Sequence, residues 1–120
     1  MNGTTIVLGA SEKPQRYSNM AVRRLAALGL PVHAVGSRAG LIASTPIHTE
    51  LPAGTVAHTV TLYLSPANQA IWKARLIALK PKRVIFNPGA ENPAFAAELR
   101  EAGIEVVEAC TLVMLATGGY

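Results

Sequence analysis

The chain has 120 residues, half of them apolar and 15% charged, and carries a formal net charge of +4 from eleven Lys and Arg against seven acids, all of them Glu. That length is enough for one unit with its own core and no structural metal, and the apolar share excludes a disordered or fibrous chain. No run approaches the roughly 20 apolar residues that span a bilayer.

The start, Met1-Asn2-Gly3-Thr4-Thr5, has neither the charged nor the apolar part of a signal peptide. The single cysteine, Cys110, cannot form an internal disulfide. A cytoplasmic protein is therefore expected. The basic balance favours anionic partners. The one tight basic cluster, Lys80-Pro81-Lys82-Arg83, reads as a solvated joint between a helix and a strand. With only 5% aromatic residues to stack bases, nucleic-acid binding is not expected.

Short apolar, β-branched runs at 5–8, 32–35, 59–64, 84–86 and 104–107 read as buried parallel strands. Helical periodicity fills most gaps between them. In the first helix Ala21, Leu25 and Leu28 share a face, Ser18 is a candidate cap, and Gly29 then Pro31 end it. The segment from Gly36 to His58 is rich in Gly, Ser, Thr and Pro and reads as a long loop, with 42–43 or 46–48 as a short extended piece. Ser65-Pro66 opens a second helix with Ala70, Ile71, Ala74, Ile77 and Ala78 turned inward, and Pro81 ends it. Asn92-Pro93 opens a third, with Phe95, Leu99 and Ala102 inward and Gly103 as its stop. The apolar tail after Cys110 should pack back as one helical turn or lie in a subunit contact, so a homodimer is possible. Strands alternating with helices predict one α/β domain over residues 1–120, with a five-stranded parallel sheet and helices on both faces.

In open α/β sheets ligands sit beyond the carboxyl ends of the strands. Those ends are Gly9-Ala10-Ser11, Gly36-Ser37-Arg38, Ser65-Pro66, Asn87-Pro88-Gly89 and Ala109-Cys110, and most are small or turn-forming. The first loop suits a phosphate at the start of the first helix, with Lys13 and Arg16 adding charge. It equally suits a plain β–α connection, because only the first glycine of G-x-G-x-x-G is present. A domain for NAD usually has an acid after the second strand to hold the ribose. Here Arg38 stands there instead. It suits a phosphorylated ribose, as in NADP or the 3′-phosphorylated adenosine of coenzyme A, or it simply faces solvent.

Nothing in the chain predicts catalysis or a metal. His33, His48 and His58 lack a metal-ligand spacing. Cys110 reads as a buried small hydrophobe. Glu91 has no paired acid or base, and no serine sits in a nucleophile elbow. The chain is not expected to be an enzyme.

Five stretches carry a family resemblance: Val7-Leu8-Gly9-Ala10-Ser11, Arg16-Tyr17-Ser18, Val60-Thr61-Leu62-Tyr63-Leu64-Ser65-Pro66, Val84-Ile85-Phe86-Asn87-Pro88-Gly89-Ala90-Glu91-Asn92, and Ala102-Gly103-Ile104-Glu105-Val106-Val107-Glu108-Ala109-Cys110-Thr111-Leu112-Val113-Met114. In these the chain resembles the small single-domain bacterial CoA-binding proteins, which are similar to the N-terminal CoA-binding domain of the succinyl-CoA synthetase α subunit. The resemblance implies a Rossmann-like three-layer fold and CoA or an acyl-CoA as the ligand. It implies that Gly9, Ala10 and Ser11 face the pyrophosphate, helped by Arg16, Tyr17 and Ser18, and that Arg38 meets the phosphorylated adenosine. Leu64, Ser65, Pro66, Asn87, Pro88 and Gly89 would line the pantetheine path. The family often has Asn-Pro where this chain has Gly36-Ser37, and Gln where it has Asn87. The synthetase's catalytic parts lie in domains the chain lacks, so the resemblance does not carry ligase activity. An NADP-binding protein and a ligand-free interaction module are the alternatives.

Overall fold

A computed structural model describes residues 3–51 and 54–120. Its centre is β1 (Thr5–Leu8), whose four residues are all buried because helices cover both faces of the sheet. β2 (Val32–Val35) and β5 (Thr59–Leu62) flank β1 in parallel, in register from Thr5 opposite Val32 and Thr59. β6 (Arg83–Phe86) and β7 (Glu105–Glu108) extend the sheet beyond β5.

On the other side the expected long loop is instead a hairpin. β3 (Gly40–Ile42) and β4 (Thr45–His48) pair antiparallel, and β4 then pairs in parallel with β2 through Ala34–Ile47 and Val35–His48. The sheet therefore has seven strands among the described residues, in the order β3-β4-β2-β1-β5-β6-β7, and not the five expected. Two facts hide this hairpin. Its turn runs through Ala43 at φ 52°, without the Asn-Gly or Asp-Gly that usually marks such a turn. Pro46, which cannot donate to a ladder, sits beyond the two-residue pairing with β2. Counted along the chain, the six parallel strands lie in the order 3-2-1-4-5-6. That is the order of the Rossmann-type doubly wound sheet, whose direction reverses here between β1 and β5.

Strand alternation splits the core in two. Val7, Ala34 and Ile47 point to one face, where Val22 and Leu25 of α1 (Tyr17–Ala27) and Leu115 of α5 (Thr111–Thr117) cover them. Ile6, Leu8, Val60, Leu62, Val84 and Phe86 point to the other face and meet Trp72, Leu76, Phe95 and Leu99. Those four come from a segmented second helix and from α4 (Pro93–Glu101). Phe86 and Phe95 meet edge to face at 5.9 Å.

The helix ends follow the expected signals in part. Asn92 caps α4 by accepting from the Phe95 N–H at 3.2 Å, and Gly103 at φ 82° follows its end. Ser18 is not a cap: Arg16 holds that position, and Ser18 is buried inside the first turn of α1. The second helix is α2 (Pro66–Gln69), a 3-10 turn (Ala70–Trp72) and α3 (Lys73–Leu79). Gln69, Trp72 and Leu76, spaced three and four residues apart, form the buried stripe. Ala70, Ile71, Ala74 and Ala78 are exposed instead, and Ile77 is half-buried. Buried Gln69 is paired throughout: its amide N–H groups donate to Leu64 O at 2.8 Å and Ala90 O at 2.7 Å, and its oxygen accepts from Asn92 at 3.0 Å. The tail forms two turns on the α1 face rather than one. Cys110 is half-buried. No helix among the described residues is long and apolar enough to cross a membrane.

Candidate functional site

β1 stops at a turn that only glycine fits. Gly9 has φ 98°, and a Cβ there would lie 2.8 Å from the Tyr63 carbonyl oxygen. The N–H groups of Gly9 and Ala10 both donate to Val35 O, at 2.8 and 2.9 Å. These two residues therefore shape the turn, and their N–H groups are taken up within it. The chain next runs through Ser11 to Arg16 and enters α1. Two side chains of α1 hold that loop. Asn19, which is buried, donates to Ser11 O at 2.8 Å, and Arg23 donates to Asn19 Oδ1 at 2.7 Å and to Pro14 O at 3.1 Å.

At the reversal point between β1 and β5 lies a cavity of about 700 Å³. This is the size range of small-molecule and cofactor sites. Lys13, Arg16 and Arg38 line it, and no carboxylate does. None of the three cations forms an ion pair among the described residues. Opposite them the wall is Leu64, Ala67, Asn68, Ile71 and Trp72. Ile71, 78% exposed, forms part of its rim. The cations come from the loops after β1 and β2, and this largely apolar wall from the segment after β5.

The structure brings together Gly9, Ala10, Ser11, Arg16, Arg38 and Leu64 of the residues expected from sequence. Tyr17 is exposed, Ser18 is buried, and neither lines the cavity. Ser65 and Pro66 are exposed at the start of α2, next to the wall but outside it. Asn87 serves a different purpose. Its amide donates to Thr61 Oγ1 at 2.6 Å and to Leu62 O at 2.8 Å, and its oxygen accepts from the Thr111 N–H at 2.9 Å. It ties β6 to β5 and to α5. Pro88 and Gly89 are exposed beyond it, and the Gly89 N–H donates to Glu91 at 2.8 Å.

Sequence reasoning missed Thr49, Asn68, Ile71 and Trp72 as lining residues. Thr49 follows β4, so the strand-end rule would have found it had that strand been seen. Tyr63 also borders the cavity, while its ring packs on the α1 face. Burial pushes its phenol up to about 12, with the neighbouring Thr111 and Thr61 hydroxyls pulling the other way. Those two hydroxyls bond to each other at 2.7 Å, and the phenol oxygen makes no hydrogen bond among the described residues.

The other polar groups do not build a competing site. His33 and His48 stack at 4.8 Å, and burial with the neighbouring His48 lowers the His33 pKa. No three His, Cys, Asp or Glu side chains among the described residues gather where they could hold a metal. A second cavity, of about 500 Å³, is lined by Glu50, Arg75 and apolar or small residues. Its two charges pair with each other at 3.6 Å. In the basic cluster, Arg83 is not simply solvated: it donates to Thr59 and to Tyr120 O, and stacks over the Tyr120 ring at 4.5 Å.

A doubly wound sheet with a cationic cavity at its reversal point is the arrangement of the Rossmann-type class of domain. The match to known families narrows that class. Residues 3–116 fit the model of the CoA binding domain family, and the chain belongs to that family. It is similar to an uncharacterized protein of known crystal structure, with 42% identity, a TM-score of 0.92, and coverage of 100% of this chain and 99% of that one. It also resembles a Thermus thermophilus protein, at 27% identity and TM-score 0.82, over 98% and 90% of the two chains. A hypothetical protein from Pyrococcus horikoshii shares the fold at 21% identity and TM-score 0.82, over 94% and 81%. No curated protein sequence matches the chain.

Proposed function

We propose that this protein binds coenzyme A or an acyl-CoA as a stand-alone module and catalyses no reaction by itself. The observation that carries the reading is the convergence of Lys13, Arg16 and Arg38 on one cavity with no carboxylate among its lining residues. Such a donor set fits a ligand bearing several phosphates. Lys13 and Arg16, beside the loop into α1, would hold the pyrophosphate. Arg38, where an NAD site would place an acid, would meet the ribose phosphate. Leu64, Asn68, Ile71 and Trp72 would take the pantetheine arm, whose amides suit Asn68 and whose methylenes suit the rest.

The absence of catalysis rests on the lining residues, which include no activated nucleophile and no acid–base pair. Incubation with acetyl-CoA should leave the thioester intact beyond its background hydrolysis. Turnover that disappears in Cys110→Ala or Glu91→Ala would overturn this half of the reading.

A melting series with CoA, acetyl-CoA, NADP and NAD tests the ligand. At 100 times its Kd a ligand adds about 2.7 kcal/mol. For a domain of this size that is a rise of roughly 10 °C. CoA should give such a rise and NAD far less. A clear shift with NADP and none with millimolar CoA would transfer the site to the dinucleotide.

A further inference from the structure

Arg38 is exposed on the connection between β2 and β3, and a long side chain on an exposed loop loses rotamer freedom when it binds. The structure fastens this connection at both ends. At Gly36 a Cβ would lie 2.3 Å from the Ala10 carbonyl oxygen. At Gly40 a Cβ would lie 2.4 Å from Glu12 Cδ and 2.6 Å from its Oε2. Glu12 Oε2 also accepts the Leu41 N–H at 3.0 Å, a charge-assisted bond. The two anchors on the first loop, Ala10 and Glu12, flank Ser11; the two glycines they meet flank Arg38. The loop that carries Lys13 and Arg16 is thus clasped to the loop that carries Arg38.

We propose that Glu12 is a positioning residue: it holds the base of β3 against the first loop, so that the loop bearing Arg38 is held beside the cavity before the ligand arrives. This rests on the CoA reading above, since it makes Glu12 act through an arginine that meets the ribose phosphate. The sign of its charge makes the idea sharp. A carboxylate beside a polyanion site repels the ligand, so on charge alone its removal tightens binding. If Glu12 works as a clasp, its removal loosens binding.

The test is calorimetry of CoA and of dephospho-CoA, which lacks the ribose phosphate, on the wild type and on Glu12→Ala, Glu12→Gln, Gly40→Ala, Arg38→Ala and the Glu12→Ala/Arg38→Ala pair. Glu12→Ala should weaken CoA roughly 2- to 12-fold, the cost of immobilising one flexible side chain on binding. Dephospho-CoA should be held no less tightly. Glutamine keeps the acceptor for the Leu41 N–H, so Glu12→Gln should bind CoA as well as the wild type or better. In the Arg38→Ala background the Glu12→Ala loss should vanish. Gly40→Ala attacks the same contact from the other side and should mimic Glu12→Ala, which keeps the test alive if Glu12→Ala folds poorly. Unchanged or tighter CoA binding by Glu12→Ala overturns the clasp, as does an equal loss for both ligands or a loss that persists without Arg38. A wild-type protein that takes up neither ligand overturns the CoA reading, and the clasp's role falls with it.

Discussion

The carboxyl ends of β1 and β2 and that of β6 look alike in sequence, with small and turn-forming residues after each strand, yet the structure uses them in opposite ways. At β1 and β2 the turns leave three cations and a cavity. At β6, Asn87 is joined to Thr61, Leu62 and Thr111 by hydrogen bonds of 2.6 to 2.9 Å, while Tyr63 and Leu64 after β5 border the cavity. The rule that ligands sit at strand ends selects a side of the sheet; the reversal of strand order selects the place on that side. The remaining ends are free to become structural joints. Asn87 belongs to such a joint, although its neighbours in sequence look like part of a ligand loop.

The contrast predicts opposite outcomes for two substitutions. Asn87→Ala leaves the Thr111 N–H buried without its acceptor and removes two donated bonds. Each buried polar group left unpaired costs about 1–3 kcal/mol, so a loss of about 3 kcal/mol is expected. Chemical denaturation should show it, while CoA affinity, measured well below the melting temperature, should stay within about twofold. A large affinity loss without a stability loss would move Asn87 into the ligand site.

Arg38→Ala is the converse. The side chain is exposed and unpaired by any acid among the described residues, so stability should change by no more than about 0.5 kcal/mol. A charge-assisted bond to the ribose phosphate is worth about 1.5–3 kcal/mol. CoA affinity should therefore fall roughly 10- to 150-fold. Dephospho-CoA should bind the wild type more weakly than CoA does, and it should be nearly indifferent to the substitution. Equal losses for the two ligands would show that Arg38 supplies only a general positive field, one that salt would screen.

The division between the two regions was half legible in the sequence. β1 and β6 stood out as short, nearly continuous apolar runs because burial on both faces favours apolar residues. Arg38 stood out because an acid is expected at its position. The hairpin was legible only as a short extended piece at 42–43 or 46–48, since Ala43 takes a turn position where Asn, Asp or Gly is usual and Pro46 argues against a strand. With β4 went Thr49, and with it the Rossmann-type order of the sheet. The wall of the cavity was lost for another reason. Periodicity counts apolar residues, and the inner face of the second helix begins with Gln69, a polar side chain made burial-compatible by Leu64, Ala90 and Asn92. With Gln69 counted, the buried stripe runs through Trp72 and Leu76, and Ile71, expected inward, comes out to the cavity rim.

The smallest expected effect concerns a phenol at the border of the cavity that is not joined to its neighbours among the described residues. The Tyr63 phenol is buried beside a Thr61–Thr111 pair that bonds internally, and burial pushes it up to about 12 from its ordinary value of 10.0. A buried hydroxyl without a partner contributes nothing to set against its desolvation, so Tyr63→Phe should leave stability at pH 7 unchanged or raise it by up to about 1 kcal/mol. The pH dependence carries the sharper signal. Because the folded pKa lies above the unfolded one, the unfolded chain gives up this proton first as pH rises. Its contribution is complete below pH 10 and declines as pH climbs toward about 12. The wild type should therefore lose stability through that window faster than Tyr63→Phe, with the two curves parallel at lower pH. Urea unfolding at pH 8, 10 and 11, with phenolate absorbance near 295 nm followed in parallel, reads both quantities. Curves that stay parallel through pH 11 would show that the phenol ionises as easily in the folded protein as outside it. The phenol would then be reached by water from the cavity that Tyr63 borders.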